Sequence, residues 1–226
     1  MSDLTNQKSI KALSVELTNG DKNKGWCYNF IKRALDIFGA IIGLVILSVL
    51  FLIVAILIKL EDPKGPIFFS QIRVGKNGKE FKMYKFRSMV TDAEAKLEKL
   101  LKYNEVEGAM FKMKNDPRVT NIGRIIRKTS IDELPQLFNV LKGDMSLVGP
   151  RPPLPREVKE YTSYEVQRLL VTPGCTGLWQ VSGRSNIGFN EMVELDLQYI
   201  KQRNIVYDLK IIIKTFKLLL GSKDAY

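Results

Sequence analysis

The strongest feature of the hydrophobic pattern is an apolar run at residues 37–58, which holds 22 residues without a charge between Asp36 and Lys59. A helix needs roughly 20 apolar residues to cross the hydrocarbon core of a bilayer. The run therefore predicts a membrane-inserted helix over residues 29–60. The polar residues 1–28 before it predict a flexible lead, and residues 61–226 predict a globular domain.

Both flanks of this helix are positively charged, which bears on how it enters the membrane. Residues 22–36 hold four basic residues and residues 59–73 hold three. Lys32 and Arg33, near aromatic residues, suit the headgroup layer, and basic flanks favour the cytoplasmic side. A re-entrant helix would keep both flanks there, whereas a straight helix would place one outside. Ser48 near the midpoint could stabilise a bend through its hydroxyl, and the residues alone leave both arrangements open.

Beyond the apolar run, the pattern changes to short strands and then to helices. Residues 67–69 and 81–86 flank a glycine-containing turn at residues 75–78 and predict a hairpin. Helical periodicity follows at residues 91–101, 121–127, 130–141, 155–170, 190–203 and 207–220. The pattern therefore predicts an α/β fold that is mostly helical with a small β-sheet.

The last predicted helix is amphipathic and basic. Its apolar residues and its lysines occupy different sides: Ile211, Ile212, Phe216, Leu219 and Leu220 against Lys210, Lys214 and Lys217. Such a helix can lie on an anionic bilayer surface or pack on the core of the domain. The fold is therefore expected to include amphipathic interfacial helices, with core packing as the alternative.

The overall charge narrows the range of partners. The formal net charge is +11, from 35 basic and 24 acidic residues, which predicts an anionic partner. Membrane lipid and a phosphorylated substrate are favoured over nucleic acid, because no reading helix or aromatic stacking platform is recognisable. The chain has no histidine, which excludes Ser-His and Cys-His catalysis and histidine-ligated zinc. Cys27 and Cys175 lie far apart and predict no disulfide framework.

The adjacent acids Asp132 and Glu133 have two readings. Ser130, followed three residues later by Glu133, has the form of a helix capping box. The acids also lie among basic residues: Arg118, Arg124, Arg127, Lys128, Lys142 and Arg151. Carboxylates among arginines suit the binding of Mg²⁺ and a pyrophosphate, and a carboxylate can also attack phosphorus. Arg151, between two prolines, is either a solvated loop residue or a phosphate ligand on a stiff loop.

Several blocks of sequence together carry a resemblance to a known family. They are Asp36 before the apolar run, GPIFFSQIRVG at residues 65–75, YKFRSM at 84–89, DELPQLFNVL at 132–141, GDMSLVGPRP at 143–152, PGCTG at 173–177 and QVSGR at 180–184. Across about residues 29–220 the chain resembles the bacterial sugar transferases, the monotopic form of the polyprenyl-phosphate phosphoglycosyl transferase superfamily. Because only a short polar lead precedes these blocks, the chain is expected to be the minimal form.

The resemblance implies a reaction and a site. A phospho-sugar moves from a nucleotide diphosphate sugar, usually a UDP-sugar, to undecaprenyl phosphate, and UMP is released. Asp132 is implied as the nucleophile that carries the phospho-sugar covalently, and Glu133, with Asp132, as the Mg²⁺ ligands. The implied phosphate-binding or substrate-binding residues are Arg151, Gly149, Pro150, Lys85, Arg87 and Arg184. Asp196 matches a recurring acid without an assigned role.

The resemblance also implies a location. The protein is expected at the bacterial cytoplasmic membrane, with its catalytic domain on the cytoplasmic face, where it would start the synthesis of a surface glycan. One departure concerns the membrane helix: the family commonly has Ser-Pro at its middle, whereas Ser48 is followed here by Val49. Proline is the main local cause of a helix kink, so its absence weakens the prediction of re-entry.

Two other classes of function are alternatives to this enzyme. A membrane-tethered, non-catalytic scaffold or regulator of glycan assembly could keep the fold, although it has no physical need for Asp132, Glu133 and Arg151 together. A nucleic-acid-binding module lacks the features named above. The sequence leaves open which sugar is transferred and whether the chain forms a homodimer.

Overall fold

The computed structural model describes residues 25–100, 113, 115–183 and 187–221. The helices are α1 (Trp26–Ile46), α2 (Ser48–Glu61), α3 (Ala93–Leu100), α4 (Asn121–Lys128), α5 (Gln136–Lys142), α6 (Pro155–Lys159), α7 (Phe189–Gln202) and α8 (Ile205–Gly221). The strands are β1 (Phe68–Val74), β2 (Glu80–Phe86), β3 (Ser146–Val148) and β4 (Gly174–Thr176). The prediction of a mostly helical α/β fold is confirmed, whereas most of the predicted lead, residues 1–24, lies outside the described residues.

The predicted small sheet consists of two separate two-stranded sheets among the described residues. Strands β1 and β2 form an antiparallel hairpin in which Phe68 lies opposite Phe86. Asn77 and Gly78 in its turn have positive φ angles of 57° and 78°, the backbone that tight hairpin turns require. Strands β3 and β4 are parallel. The hairpin prediction is confirmed, with longer strands than the apolar residues alone indicated.

The apolar run forms two helices instead of one. Helices α1 and α2 meet at Leu47 with a bend of 60°. Among the described residues no single helix has the length and apolar character to cross a bilayer, although the bent pair together meets that test. The bend thus occurs next to Ser48 without a proline. The helices on either side of the bend each contact the domain.

The contacts of α1 and α2 hold each helix on a different part of the domain. Gly39 and Gly43 let α1 approach closely, because an added Cβ would lie 2.6 Å from Leu147 and 3.0 Å from Leu137. On α2, the buried side chains of Val54 and Ile58 pack in one apolar cluster with residues of the domain. These are Phe86 at the end of the hairpin, Ile126 of α4 and Ile131 next to the acidic pair. The two halves of the bent pair are therefore held by different parts of the domain, which a straight helix could not contact in the same way.

The basic residues at the start of α1 bond to the domain, and their place in the headgroup layer stays a prediction. Arg33 donates to the carbonyl oxygens of Val140 (2.6 Å) and Leu141 (2.8 Å), near the C-terminus of α5. Lys32 donates to Asp208 of α8 at 2.7 Å. A helix C-terminus has unsatisfied carbonyls and a partial negative charge, so a guanidinium stabilises it there.

Asp36 has a structural role at the junction of α1 and β3. Its carboxylate accepts hydrogen bonds from the hydroxyl of Ser146 and the backbone N–H of Leu147, both at 2.9 Å. Asp36 is buried. The family residue before the apolar run therefore ties the first helix to the second sheet.

Helices α1 and α2 expose a broad apolar surface. Val45, Ile46 and Val49 near the bend are each about two-thirds exposed or more, at 68%, 72% and 66%. Further exposed apolar side chains lie along both helices: Phe38, Ile41, Ile42, Leu52, Ile53, Ile56, Leu57 and Leu60. An apolar patch of this extent marks an interaction surface.

The last three predicted helices have different outcomes. Helices α7 and α8 are confirmed at nearly the expected positions. The segment at residues 155–170 was predicted as one helix, but it forms the short helix α6 and a separate 3₁₀ segment, Glu165–Leu170. Helix α8 packs on the core through Ile211, whereas its Ile213 and Phe216 are exposed.

Candidate active site

The acidic pair lies on a single 3₁₀ turn, Ile131–Glu133, between α4 and α5. The predicted capping box is wrong, because Ser130 adopts the left-handed conformation (φ 58°) and its side chain makes no capping bond. Pro135 precedes helix α5, which begins at Gln136. Ile131 packs against the apolar cluster that includes Val54 and Ile58 of α2, so the turn that carries the acids is anchored to the bent helix pair. The carboxylate of Glu133 is thereby available for contacts elsewhere.

Four predicted site residues from three distant parts of the chain meet around this turn. Nζ of Lys85 lies 2.6 Å from Oε1 of Glu133 and 3.9 Å from Oδ2 of Asp132. Nη1 of Arg151 lies 3.7 Å from the same Oε1 of Glu133. Asp132 is buried, and Arg151 is partly exposed. The structure thus brings together Asp132, Glu133, Lys85 and Arg151, two carboxylates with two cations.

The two carboxyl groups have opposite electrostatic environments. Burial raises the pKa of Asp132 to about 6, although Lys85 partly offsets this effect. Burial also acts on Glu133, but Lys85 and Arg151 outweigh it and lower the pKa of Glu133 to about 2. Near neutral pH both groups are ionised, and Asp132 is the more basic. The buried, more basic carboxylate of Asp132 suits a nucleophile, and the permanently charged carboxylate of Glu133 suits a cation ligand.

Asn139 positions the strand that carries Lys85. This fully buried side chain donates from Nδ2 to the carbonyl of Lys82 (2.7 Å) and accepts at Oδ1 from the N–H of Tyr84 (3.0 Å). The amide of Asn139 therefore takes the place of a neighbouring strand along the edge of β2. Helix α5 and strand β2 are held together, which places Lys85 over the acidic turn.

The other predicted substrate-binding residues differ in location. Arg87 does not join the cluster; its buried guanidinium bonds to Asp62, just after α2. Gly149 lies where two backbone segments cross, since an added Cβ would be 2.6 Å from the carbonyl of Thr172. The carbonyl of Pro150 accepts from the N–H of Gly174 at 2.9 Å. Arg184 lies outside the described residues.

Two further arginines act on the acids: Arg127, which the sequence indicates as a basic neighbour of the pair, and Arg73, which it does not single out. The charge of Arg127 lowers the pKa of Asp132, and the charge of Arg73 lowers that of Glu133, each adding to the effects of Lys85 and Arg151. Arg127 lies on the last turn of α4, five residues before Asp132. Arg73 is in strand β1, and only the register of the hairpin and the loop after β3 brings it near Glu133.

The carboxylates of Asp132 and Glu133 could supply only part of the ligand shell of Mg²⁺. Within the described parts of the chain, no three acidic or thiol side chains lie close enough together to hold a metal ion. Mg²⁺ is commonly held by one or two carboxylates, with water and phosphate oxygens completing its shell. Asp132 and Glu133 supply such oxygens and already share the Lys85 ammonium, so the pair can accommodate a cation when a phosphate is present.

The chain is similar to known proteins over most of its length. The sequence pattern described as bacterial sugar transferase matches residues 27–222. The galactosyl transferase CpsE of Streptococcus agalactiae is 55% identical over 190 residues, which cover 84% of this chain and 42% of CpsE. An undecaprenyl-phosphate galactose phosphotransferase of Salmonella typhimurium is 46% identical over 201 residues, 87% of this chain and 42% of that protein.

A third relative matches along most of its own length. The exopolysaccharide production protein ExoY of Rhizobium meliloti is 41% identical over 199 residues, which cover 86% of this chain and 88% of ExoY. The chain spans less than half the length of CpsE and of the Salmonella protein. The resemblance seen in the sequence is confirmed: this chain belongs to the bacterial sugar transferase family.

Proposed function

We propose that this protein transfers a sugar phosphate from a nucleotide diphosphate sugar, in the first instance a UDP-sugar, to undecaprenyl phosphate. The observation that carries the proposal is the buried Asp132 beside Glu133, with Lys85 and Arg151 on the same pair. The names of the Salmonella and Rhizobium relatives support a sugar phosphotransferase that starts an exopolysaccharide or related glycan. The products would be UMP and undecaprenyl diphosphate-sugar.

The first chemical step uses Asp132 as the nucleophile. A carboxylate oxygen of Asp132 attacks the phosphorus that carries the sugar, and the bond from this phosphorus to the bridging oxygen breaks. UMP leaves with that oxygen and its electron pair, and an acyl-phosphate sugar remains on Asp132. The ionised form is required, and a pKa of about 6 leaves the carboxylate charged and basic near neutral pH.

The second step restores Asp132. A phosphate oxygen of undecaprenyl phosphate attacks the same phosphorus, and the bond to Asp132 breaks with return of the electron pair to the carboxylate. Each step is a displacement at phosphorus, for which a protein contributes chiefly positioning and charge stabilisation. Arg151, Lys85 and Arg127 supply the positive charge next to Asp132 and Glu133.

Glu133 and Asp132 would hold Mg²⁺ together with the diphosphate of the donor. Bound Mg²⁺ supplies charge neutralisation on the phosphate oxygens. The low pKa of Glu133 keeps its carboxylate available as a ligand across the physiological range. Lys85, which contacts both carboxylates, orients them toward the same space.

The bent helix pair supports placement of the protein at the cytoplasmic membrane, with the catalytic domain on the cytoplasmic face. Its exposed apolar surface would be stabilised in lipid by about 1–3 kcal/mol per large side chain. Helix α8 begins beside α1 through the Lys32–Asp208 ion pair, and its exposed Ile213 and Phe216 would extend the apolar contact. A water-insoluble lipid acceptor makes such a location necessary.

We expect both ends of the bent pair to be on the same side of the membrane. Cys27, exposed at the start of α1, and a cysteine introduced by Lys64→Cys after α2 should both react with a membrane-impermeant maleimide in inverted vesicles. Both should be protected in intact spheroplasts. Labelling of one site in each preparation would indicate a straight span and would contradict the re-entrant arrangement.

The experiment that tests the function is UMP release by the detergent-purified protein with undecaprenyl phosphate, Mg²⁺ and a panel of UDP-sugars. Release with one sugar, dependent on undecaprenyl phosphate, would establish both the reaction and the donor. A folded protein that binds UDP-sugar but releases no UMP would favour a scaffold over an enzyme. Mg²⁺ removal by EDTA should abolish release, and re-addition should restore it.

Arg151→Ala is expected to weaken donor binding more than turnover. A charge-assisted hydrogen bond to phosphate contributes about 1.5–3 kcal/mol, so KM for the UDP-sugar should rise about 10- to 100-fold. Steady-state kinetics at saturating undecaprenyl phosphate measure this change. Arg156→Ala, a matched change in α6, should leave KM near the wild-type value. Unchanged KM in Arg151→Ala would show that this side chain does not contact the donor.

A further inference from the structure

The loop that carries Arg151 is held at four consecutive carbonyl oxygens. The N–H of Gly174 donates to Pro150 and the N–H of Val74 donates to Pro153, both at 2.9 Å. The two carbonyls between them accept from buried arginine side chains. Nη1 of Arg73 donates to Pro152 at 3.0 Å, and Nη2 of Arg168 donates to Arg151 at 3.4 Å.

Arg168 is itself held by other buried groups. Its Nε and Nη2 contact Oδ2 of Asp196 at 2.8 and 2.7 Å, and its Nη1 donates to the hydroxyl of Tyr161 at 2.6 Å. The side chain of Arg168 is 2% exposed and that of Asp196 is not exposed at all. Among the described residues, Oδ1 of Asp196 has no hydrogen-bond partner. Asp196 therefore serves Arg168 and does not reach the acidic turn.

A buried ion pair of this kind is a poor source of stability. Removing two charges from water costs several kcal/mol per ion, and well-packed apolar residues can often replace such a pair without loss. The geometric effect is different, because a guanidinium fixed by Asp196 and Tyr161 has little freedom to move. Nη2 of Arg168, which also contacts Asp196, donates to the backbone carbonyl of Arg151, whose side chain lies 3.7 Å from Glu133.

We infer that Arg168, oriented by Asp196 and Tyr161, and Arg73 are positioning residues that set the place of the Arg151 guanidinium at the active site. The inference rests on the proposed function for its effect on catalysis, but the loop geometry can be measured without any reaction. It gives Asp196 the role of orienting Arg168, away from the acidic turn. It also explains why two arginines are buried beside a proline-rich loop.

The first test measures the backbone of the loop. The pair Arg168→Met with Asp196→Leu removes both buried charges, and Arg168→Lys keeps the charge opposite Asp196 but loses the fork of donors. Between residues 149 and 154 only Gly149, Arg151 and Leu154 have a backbone N–H. Hydrogen exchange of these amides, and of Gly174 and Val74, whose N–H groups donate to the loop, should accelerate about tenfold in either variant. Arg118→Lys is the control, because Arg118 is also buried and paired, with Asp116, but bonds to Ala93. Wild-type exchange in the folded Arg168 variants would overturn the inference.

The second test asks whether Arg168 acts through Arg151. In the wild-type background, Arg168→Lys should lower kcat/KM for the UDP-sugar about tenfold, and in the Arg151→Ala background by less than about twofold. Equal factors in both backgrounds would indicate a general structural effect and would overturn the positioning role. Absence of UMP release from the wild-type protein would refute the proposed function instead, and the exchange experiment would still decide how the loop is held.

Discussion

Asp132→Asn is expected to abolish sugar phosphate transfer and at the same time to stabilise the fold. Asparagine has nearly the same shape but cannot form the acyl-phosphate, so turnover should fall by about 10³-fold or more. UMP release measures this loss. Mass spectrometry of the quenched wild-type enzyme with UDP-sugar alone should show a sugar phosphate on the peptide that contains Asp132, and the variant should show none.

The stabilisation follows from the pKa of Asp132. A folded-state pKa of about 6, above the usual 3.8, means that the folded protein binds the proton more tightly than the unfolded chain. Ionisation of Asp132 therefore lowers stability as the pH rises from about 4 to 6, and the full cost is present at pH 7.5. Asparagine avoids this cost, so the free energy of unfolding at pH 7.5 should increase by about 1–3 kcal/mol.

Asp92→Asn is the matched control for both effects. Asp92 is an exposed acid that pairs with Lys96 at 2.9 Å, outside the acidic turn. The same loss of one charge there should leave turnover near the wild-type rate and should not stabilise the fold. Wild-type turnover in Asp132→Asn would refute Asp132 as the nucleophile. A lower melting temperature in that variant would contradict the destabilising ionisation.

Lys85→Met should raise the pH at which the enzyme becomes active. The ammonium of Lys85 lowers the pKa of both Asp132 and Glu133, and its removal leaves two neighbouring carboxylates with less positive charge. Such a change raises a carboxyl pKa by about 1–3 units, so less of Asp132 is ionised near neutral pH. Activity at about pH 7 should fall about 10- to 100-fold and recover in part near pH 9.

The pH dependence of kcat/KM, which reports groups in the free enzyme, checks this prediction. The wild-type profile should decline as the pH falls below about 6, the pKa of Asp132, and the Lys85→Met profile should decline at higher pH. Lys82→Met removes an exposed lysine from the same strand and should leave the profile unchanged. Equal activity loss at every pH in Lys85→Met would show that Lys85 acts only as a ligand or a structural residue.

The parts of the fold that local sequence determines were predicted well. Hairpin β1–β2, helix α4 and helices α7 and α8 follow from turn residues and periodicity within one segment. The family blocks also identified Asp132, Glu133, Lys85 and Arg151, which the structure brings together. Residue type and spacing carry that information because each block has a distinct chemical composition.

The local sequence pattern did not predict side-chain contacts with partners far away in the chain. Ser130 and Glu133 have the spacing of a capping box, but Glu133 bonds to Lys85 on a strand 48 residues earlier. Lys32 and Arg33 bond to Asp208 and to the end of α5, contacts that the local pattern did not predict. A charged side chain takes the partner that the fold brings nearest, and the neighbouring sequence does not contain that partner.

The sequence by itself determined the family, the acidic pair, the apolar segment and the basic character of the domain. Tertiary structure decided the 60° bend at Leu47, which has no proline to cause it, and the support of the Arg151 loop by Arg73 and Arg168. Both depend on contacts between segments far apart in the chain. Their energies arise only when packing removes water and fixes the geometry of the partners, so no local pattern records them.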